Sequence, residues 1–177
     1  INRKLMNYIV ATLKKWNIDA FYKYSSTLGG NWHLIQDNKE LTIQKIKQIS
    51  PKYIFFPHWS NLVDKKILNL TNCVCFHASD LPFGRGGSPV QNLISLGFTK
   101  TKLSAIKMIS EIDAGPVYLK LPLSLNGKAQ DIYSEMAIVT WKMISYIIKN
   151  NPKPKAQRGK VFSFKRKTPE ESKILSK

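Results

Sequence analysis

The fold is decided by residues 53–76, which read YIFFPHWSNLVDKKILNLTNCVCF. This stretch begins with the apolar run Tyr53–Phe56 and ends with a second apolar run, Cys73–Phe76. Such short apolar runs predict buried strands. Between them, Asp64 is placed to cap a short helix. A strand, a helix and a second strand in this order indicate a crossover connection, and therefore a parallel sheet.

The regions on either side continue the pattern. Four more strands are predicted from apolar runs, at Asn7–Thr12, Trp32–Ile35, Leu103–Ile109 and Val117–Leu125. The last two are close enough in the chain to form an antiparallel or a crossing pair. The region from Ala129 to Asn150 carries one apolar stripe and predicts a long helix that docks on the sheet. We expect a single Rossmann-like α/β domain over residues 1–150, with a mainly parallel sheet flanked by helices, and an extended basic tail over residues 151–177.

Composition sets limits on the protein class. The 177 residues are 43% hydrophobic, which suits one globular domain and excludes a disordered chain. No apolar run approaches the length of a membrane-spanning helix and no signal peptide is recognisable, so we expect a cytoplasmic protein with no membrane partner. Cys73 and Cys75 are too close together for an ordinary disulfide, which predicts free thiols.

The net charge of +17 points to anionic partners of some kind. Lysine supplies 24 of the 28 cationic side chains, which is more typical of a solvated surface than of an arginine-rich surface that reads bases. The composition therefore argues against nucleic acid as a partner. A small polyanionic substrate, such as a nucleotide, suits the same charge.

Candidate ligand-binding residues follow the predicted strands, because ligands of open α/β sheets bind beyond the carboxyl ends of the strands. The four segments in question are Lys14–Asn17, His58–Asn61, Phe76–Pro89 and Ser110–Pro116. No GxGxxG motif is present, which argues against a nicotinamide or flavin dinucleotide. The third segment combines three glycines with an arginine in a loop that opens a helix, and this composition predicts backbone held close to a ligand.

Two residues in these segments suggest general base chemistry. A carboxylate at Asp113 near the imidazole of His77 would hold its tautomer and stabilise its charged form. A purely structural hydrogen bond between them is the alternative. Lys14 is either a phosphate ligand or an ordinary charged residue in the first turn of a helix. His58 is either a binding residue or a rim residue packed on Trp59.

An ordered set of motifs extends this reading: His77-x-Ser79-x-Leu81-Pro82, then Arg85-Gly86 and Pro89, then Asp113-Ala114-Gly115-Pro116. The set resembles the formyltransferase family that uses 10-formyltetrahydrofolate, which includes glycinamide ribonucleotide, methionyl-tRNA and nucleotide-sugar enzymes. The resemblance runs from about Tyr53 to Tyr118. The variant over residues 80–92, with tail segments at residues 154–159 and 164–169, looks most like the small nucleotide-sugar N-formyltransferases of pseudaminic-acid-type pathways.

The resemblance implies a Rossmann-like formyltransferase domain that transfers a formyl group from 10-formyltetrahydrofolate to the primary amine of a nucleotide-linked amino sugar. It implies no metal, and it leaves a homodimer open. The implied catalytic residues are His77, Asp113 and Cys75. The implied folate-binding residues are Trp59, Ser60, Asn61, Leu62, Ser110, Glu111 and Ile112. The implied substrate-binding residues are Lys14, Trp16, Asn17, His58, Arg85, Gly86, Gly87 and Gln91.

One position departs from the family pattern. The family usually has an asparagine two residues before the catalytic histidine, where this chain has Cys75. A thiol is a weak donor to a developing oxyanion, so we expect another donor, such as His77, Ser104 or a backbone N–H of the glycine loop. Cys73, Cys75 and His77 alternate along one strand face. A zinc site, a Cys75 nucleophile and two ordinary buried cysteines all stay open at this point.

Other functions are compatible with the same motifs. A methionyl-tRNA or glycinamide ribonucleotide formyltransferase-like activity would suit the positive charge. Against the tRNA version, the chain ends soon after the motif-bearing domain, without room for the additional C-terminal domain of such enzymes. An inactive binding protein on this fold is a further alternative, because the asparagine is absent.

Overall fold

A six-stranded sheet forms the centre of the α/β domain, in the order β2-β1-β3-β4-β6-β7. The computed structural model describes residues 5–172. The strands are β1 Asn7–Ala11, β2 Asn31–Ile35, β3 Tyr53–Pro57, β4 Asn72–His77, β5 Phe83–Gly86, β6 Lys100–Lys107, β7 Val117–Ser124 and β8 Phe162–Phe164. The helices are α1 Lys15–Tyr24, α2 Ile43–Ile49, α3 Lys65–Leu70, α4 Pro89–Ser95 and α5 Ala129–Asn150.

Strands β1 to β4 are parallel, and β6 and β7 are antiparallel to their neighbours. The mainly parallel sheet is confirmed, as is the antiparallel pair. It follows that the carboxyl ends of β1, β3 and β4 lie at one edge of the sheet, where the first three candidate segments begin. No helix within residues 5–172 combines the length and the hydrophobicity needed to cross a bilayer.

Two apolar layers cover the sheet, and the alternation of side chains along each strand explains the division. Val10 and Phe55 belong to the layer that contains α1 and α5, where Ile144 is fully buried. Ile9 and Ile54 point the other way, into the layer under α2 and α3. Because both faces are covered, the central strands read as continuous apolar runs rather than alternating ones.

The helix ends follow their sequence signals in one case and differ in another. The side chain of Asp64 accepts from the N–H of Lys66 at 2.8 Å, as expected of a cap for α3. Ser88 stands before α4, where serine is a typical N-cap residue, but it has a left-handed backbone (φ 52°) and its side chain makes no capping bond. Its hydroxyl oxygen accepts instead from the N–H of Lys167, at 3.1 Å.

The small second sheet, which the sequence patterns did not predict, joins β5 to β8. These strands are parallel and come from the glycine loop and from the tail. Gly86, in β5, has φ 94°, and a Cβ there would lie only 2.6 Å from the carbonyl oxygen of Phe164. Glycine is therefore required for the close approach of the two strands.

Candidate active site

A cavity of about 830 Å³ opens where the loops after β3 and β4 meet the loop between β6 and β7. Its walls come mainly from five parts of the chain. They are the first turn of α1, the two loops at the strand ends, the loop over residues 108–116, and one side of α5. A volume of this size suits a ligand as large as a nucleotide or a folate.

His77 is the last residue of β4, and its buried side chain borders the cavity. Its Nε2 lies 2.6 Å from the carbonyl oxygen of Gly84. A carbonyl oxygen can only accept, so Nε2 carries the hydrogen of this bond. In the neutral ring Nδ1 is then the nitrogen that can take up a proton.

Asp113 faces that nitrogen. Its Oδ1 lies 3.5 Å from Nδ1 of His77, and its Oδ2 accepts from the backbone N–H of Gly86 at 2.9 Å. The side chains of His77 and Asp113 are 9% and 15% exposed, so solvent screens their interaction only weakly. The structure thus brings together the two residues that the sequence predicts as a pair.

The route by which Asp113 reaches His77 differs from the expected one. Strand β6 is antiparallel to β4, so its last residue, Lys107, pairs with Val74 rather than with the end of β4. The loop that follows turns back across the sheet. Gly115 makes this possible, because a Cβ there would lie 1.7 Å from the carbonyl oxygen of Lys107.

Cys75 borders the cavity and is only partly exposed. Burial, and then the negative charge of Asp113, raise the pKa of the Cys75 thiol well above its ordinary value. Burial also raises the pKa of Cys73, to about 12. A thiol that stays protonated at neutral pH is a poor nucleophile, and this favours ordinary buried cysteines. Within the described residues, no three His, Cys, Asp or Glu side chains are grouped closely enough to hold a metal ion.

An aromatic cluster lies at the α5 side of the cavity. The ring of Trp16 stacks on Tyr133 with centroids 4.9 Å apart, and the His58 ring lies 5.2 Å from that of Tyr133. Burial and the positive charge of Lys14 lower the pKa of His58 to about 4, so its ring is neutral at pH 7. The Tyr133 hydroxyl accepts from Nε2 of Gln91 at 3.2 Å.

The other side of the cavity is formed by residues 59–62 and 110–112. Leu62 and Ile112 are 83% and 63% exposed, so the rim here is apolar and open to solvent. The indole nitrogen of Trp59 is buried, and it has no hydrogen-bond partner within the part of the chain that is described. An apolar rim with an unpartnered donor fits a flat, hydrogen-bonding heterocycle.

The structure brings most of the predicted site residues to this one cavity. Those that line it are His77, Asp113, Cys75, Trp59, Ser60, Asn61, Leu62, Ser110, Glu111, Ile112, Lys14, Asn17, His58, Gly86, Gly87 and Gln91. Trp16 lies behind His58 and Tyr133. Arg85 turns away from the cavity, and its guanidinium donates to Gln157 and to Glu111.

Sequence reasoning missed a second group of lining residues. Tyr133, Met136 and Thr140 line the cavity from α5. They belong to the apolar stripe of α5, which predicts that this helix docks on the sheet. The stripe does not indicate which of its residues pack in the core and which line a cavity. Arg166, from the tail, also lines the cavity. It falls in the segment 164–169 that carries part of the resemblance, but the sequence assigned it no role.

Two distant structural neighbours share the fold of this chain. HypX from Aquifex aeolicus, solved with tetrahydrofolic acid, superposes with a TM-score of 0.78 at 14% identity, over 98% of this chain and 32% of that one. A 4-N formyltransferase from Francisella tularensis superposes with a TM-score of 0.69 at 16% identity, over 90% of this chain and 76% of that one. These two likenesses concern the fold alone.

Sequence relatives are closer. No family model matches the chain. A curated methionyl-tRNA formyltransferase from Campylobacter jejuni is 29% identical over 140 residues, which is 77% of this chain and 46% of the relative. The chain spans half or less of the length of the curated relatives that it matches.

One solved structure combines high identity with high coverage. The methionyl-tRNA formyltransferase from Clostridium thermocellum superposes with a TM-score of 0.89 at 43% identity. The match covers 97% of this chain and 77% of that protein. Identity at this level over nearly the whole fold, with the predicted residues gathered at one cavity, shows that the chain belongs to the formyltransferase family.

Proposed function

We propose that the chain transfers a formyl group from 10-formyltetrahydrofolate to a primary amine. One observation carries the proposal. The hydrogen bond from Nε2 of His77 to Gly84 leaves Nδ1 as the proton acceptor, and Asp113 faces that nitrogen. An amine that attacks a formyl carbon must lose a proton, and a histidine backed by a carboxylate is suited to take it.

The pair acts on the proton in two ways. His77 accepts it at Nδ1, and the carboxylate of Asp113 stabilises the imidazolium that results. The imidazolium returns the proton to N10 of the folate as the bond between N10 and the formyl carbon breaks, which releases tetrahydrofolate. The N–H of Gly86 holds Oδ2 of Asp113, which leaves Oδ1 directed at the ring. Because both side chains are largely shielded from water, their electrostatic interaction is stronger than it would be on the surface.

The folate fits the open, apolar side of the cavity. When bound, 10-formyltetrahydrofolate supplies the formyl carbon. Residues 59–62 and 110–112 would hold its heterocycle, with Leu62 and Ile112 against its faces and the Trp59 indole as a donor. HypX, which shares this fold, was solved with tetrahydrofolic acid, and this agrees with a folate as the formyl donor.

The amine substrate lies at the α5 side. A nucleotide-linked amino sugar is our first candidate, because the aromatic rings of His58 and Tyr133 line this end of the cavity and suit a ring system. Lys14 lines the same end, where its ammonium can meet a phosphate. The fold shared with the Francisella tularensis 4-N formyltransferase agrees with this candidate.

Methionyl-tRNA is the second candidate. The relative with 43% identity is described as a methionyl-tRNA formyltransferase, and a net charge of +17 suits a polyanion. The two candidates differ in size, so they differ in what the cavity must enclose. A nucleotide sugar can be enclosed as a whole, whereas a tRNA presents only its aminoacyl end.

The deciding experiment offers both amines to the same preparation. Purified protein and 10-formyltetrahydrofolate are incubated with a panel of nucleotide-linked amino sugars and, separately, with methionyl-tRNA, and the products are analysed by mass spectrometry. The proposal expects one added formyl group on a nucleotide sugar and none with His77→Asn. Formylation of methionyl-tRNA alone would select the second candidate, and no transfer to any amine would overturn the activity.

A further inference from the structure

We infer that Gln157 is a positioning residue that holds Asp113 and the glycine loop in register around His77. The inference rests on the proposed function, in that it takes His77 and Asp113 as the reacting pair. Gln157 lies in the tail, 44 residues from Asp113 and 72 from Arg85.

The side-chain amide of Gln157 makes four hydrogen bonds. Its Nε2 donates to the carbonyl oxygens of Asp113 (2.7 Å) and Gly115 (2.9 Å). Its Oε1 accepts from Nε of Arg85 (3.1 Å) and from Nη2 of the same residue (2.9 Å). An amide has two N–H donors and two lone pairs on oxygen, so every hydrogen-bonding position of this side chain is used.

These four bonds join the two segments that define the pair. On one side they hold the turn of Asp113, a non-glycine residue with φ 54°. On the other they hold Arg85, which lies between Gly84, the acceptor for His77, and Gly86, the donor to Asp113. A side chain that fixes both segments sets the separation of Asp113 from the imidazole.

The position of Gln157 fits an indirect role. It is partly buried, and it is absent from the residues that line the cavity within residues 5–172. Two residues earlier, Lys155 exchanges backbone hydrogen bonds with Val117, at 2.7 and 2.8 Å, which anchors the segment to β7. Gln157 therefore acts from a fixed backbone without touching the substrate.

A left-handed residue at the site needs such support. A non-glycine residue in this conformation is sterically strained, and it persists where the surrounding contacts fix its backbone. A carboxylate cannot replace the two hydrogen bonds from Nε2 of Gln157, because its oxygens cannot donate to the carbonyls of Asp113 and Gly115.

Two substitutions separate the halves of the arrangement. Gln157→Glu keeps an acceptor for Arg85 and removes both donors to the Asp113 turn, whereas Gln157→Ala removes all four bonds. We expect kcat to fall about ten-fold or more in both variants, with the KM for folate within about two-fold of the wild type. The exposed Gln44 on α2, changed to Glu and to Ala, is the matched control.

A second measurement is independent of turnover. The chain has three histidines, so the imidazole resonances of His77 can be identified by their loss in His77→Asn. In Gln157→Glu we expect the His77 resonances to move and those of His33 and His58 to stay. If the wild type transfers no formyl group, the proposed function fails while this measurement still tests the positioning role.

Three results would overturn the inference. One is unchanged kcat and unchanged His77 resonances in folded Gln157→Glu. Another is a loss of turnover that only follows a loss of folded protein, with wild-type His77 resonances in the folded fraction. Rescue of turnover in Gln157→Glu relative to Gln157→Ala would place the effect on Arg85 and so would also contradict a hold on the Asp113 turn.

Discussion

The ring of Phe164 lies directly against the α carbon of Gly84. A Cβ at Gly84 would be only 2.5 Å from Cε2 of that ring, and the glycine has φ 81°. The carbonyl oxygen of the same glycine accepts from His77. The tail therefore contacts the residue that fixes the tautomer of His77.

Gly84→Ala should therefore damage both stability and turnover. We expect a loss of about 2 kcal/mol in the free energy of unfolding, from the contact with Phe164 and the left-handed backbone together. Chemical denaturation measures the loss. Gly97→Ala has a similar φ (84°) and open space, so it isolates the backbone cost, and Gly29→Ala has neither problem. Equal losses in the Gly84 and Gly97 variants would contradict a role for the Phe164 contact.

His77→Asn and Asp113→Asn should each lower kcat by about two orders of magnitude or more, because each removes part of the proton-accepting pair. Steady-state formyl transfer measures the loss, and circular dichroism checks the fold. Near-normal turnover in both folded variants would remove the pair from the mechanism.

Cys75→Ser should retain substantial activity, since burial and Asp113 keep the pKa of the thiol raised and the thiol protonated. Turnover and a search for a trapped formyl thioester are the measurements. Total loss of turnover together with that thioester in the wild type would establish a nucleophilic cysteine. Cys75→Asn introduces the usual family residue, and a gain in kcat would indicate an incompletely formed oxyanion site.

Stability should fall as the solution is acidified from pH 6.5 towards pH 4, in part because of His58. Its pKa is lowered from 6.5 to about 4 by burial and by Lys14, so the unfolded chain binds this proton more readily than the folded chain. The contribution of His58 to the free energy of unfolding is fully present above pH 6.5, and about 3 kcal/mol of it is lost by pH 4. Chemical denaturation at several pH values measures this loss. The free energy of unfolding of His58→Gln should fall less steeply with decreasing pH than that of the wild type, and an equal fall would contradict the role of His58.

Lys14→Ala should raise the KM for a nucleotide-linked substrate while leaving folate affinity alone. Loss of one charge-assisted phosphate contact removes about 1.5–3 kcal/mol, which corresponds to roughly 10- to 150-fold in KM. The neighbouring Lys15→Ala is the matched control, because Lys15 is 84% exposed and paired with Asp19 at 2.5 Å. Equal changes in the two variants would point to general surface charge instead.

Much of the fold was predictable because its signals are local. The apolar runs of β1, β3 and β4 are buried on both faces, and α5 carries its stripe over the predicted span. The small sheet was not predictable in this way. Strand β8 has three residues, and its partner β5 contains two glycines, so neither shows a periodic pattern.

The site was predictable as a set of residues and less so as a geometry. The rule for strand ends places His58 and His77 correctly, because β3 and β4 are parallel. The same rule also singled out Asp113, although β6 is antiparallel to β4. Asp113 reaches His77 only because the loop after β6 turns back across the sheet. Gln157 falls in the tail segment 154–159 that carries part of the resemblance, but its role was not predictable, because a polar residue in a lysine-rich tail looks like any solvated residue until its four partners are located.

The attachment of residues 155–167 to the glycine loop has a consequence for biosynthesis. The chain emerges from the ribosome with its N-terminus first, so β1 to β7 emerge before residues 155–167. Those later residues bond to Arg85, pack on Gly84 and bond to Ser88. The sheet can therefore form while the geometry around His77 is still unset. We expect nascent chains stalled before residue 155 to lack formyl transfer, and chains released past residue 167 to gain it in one step.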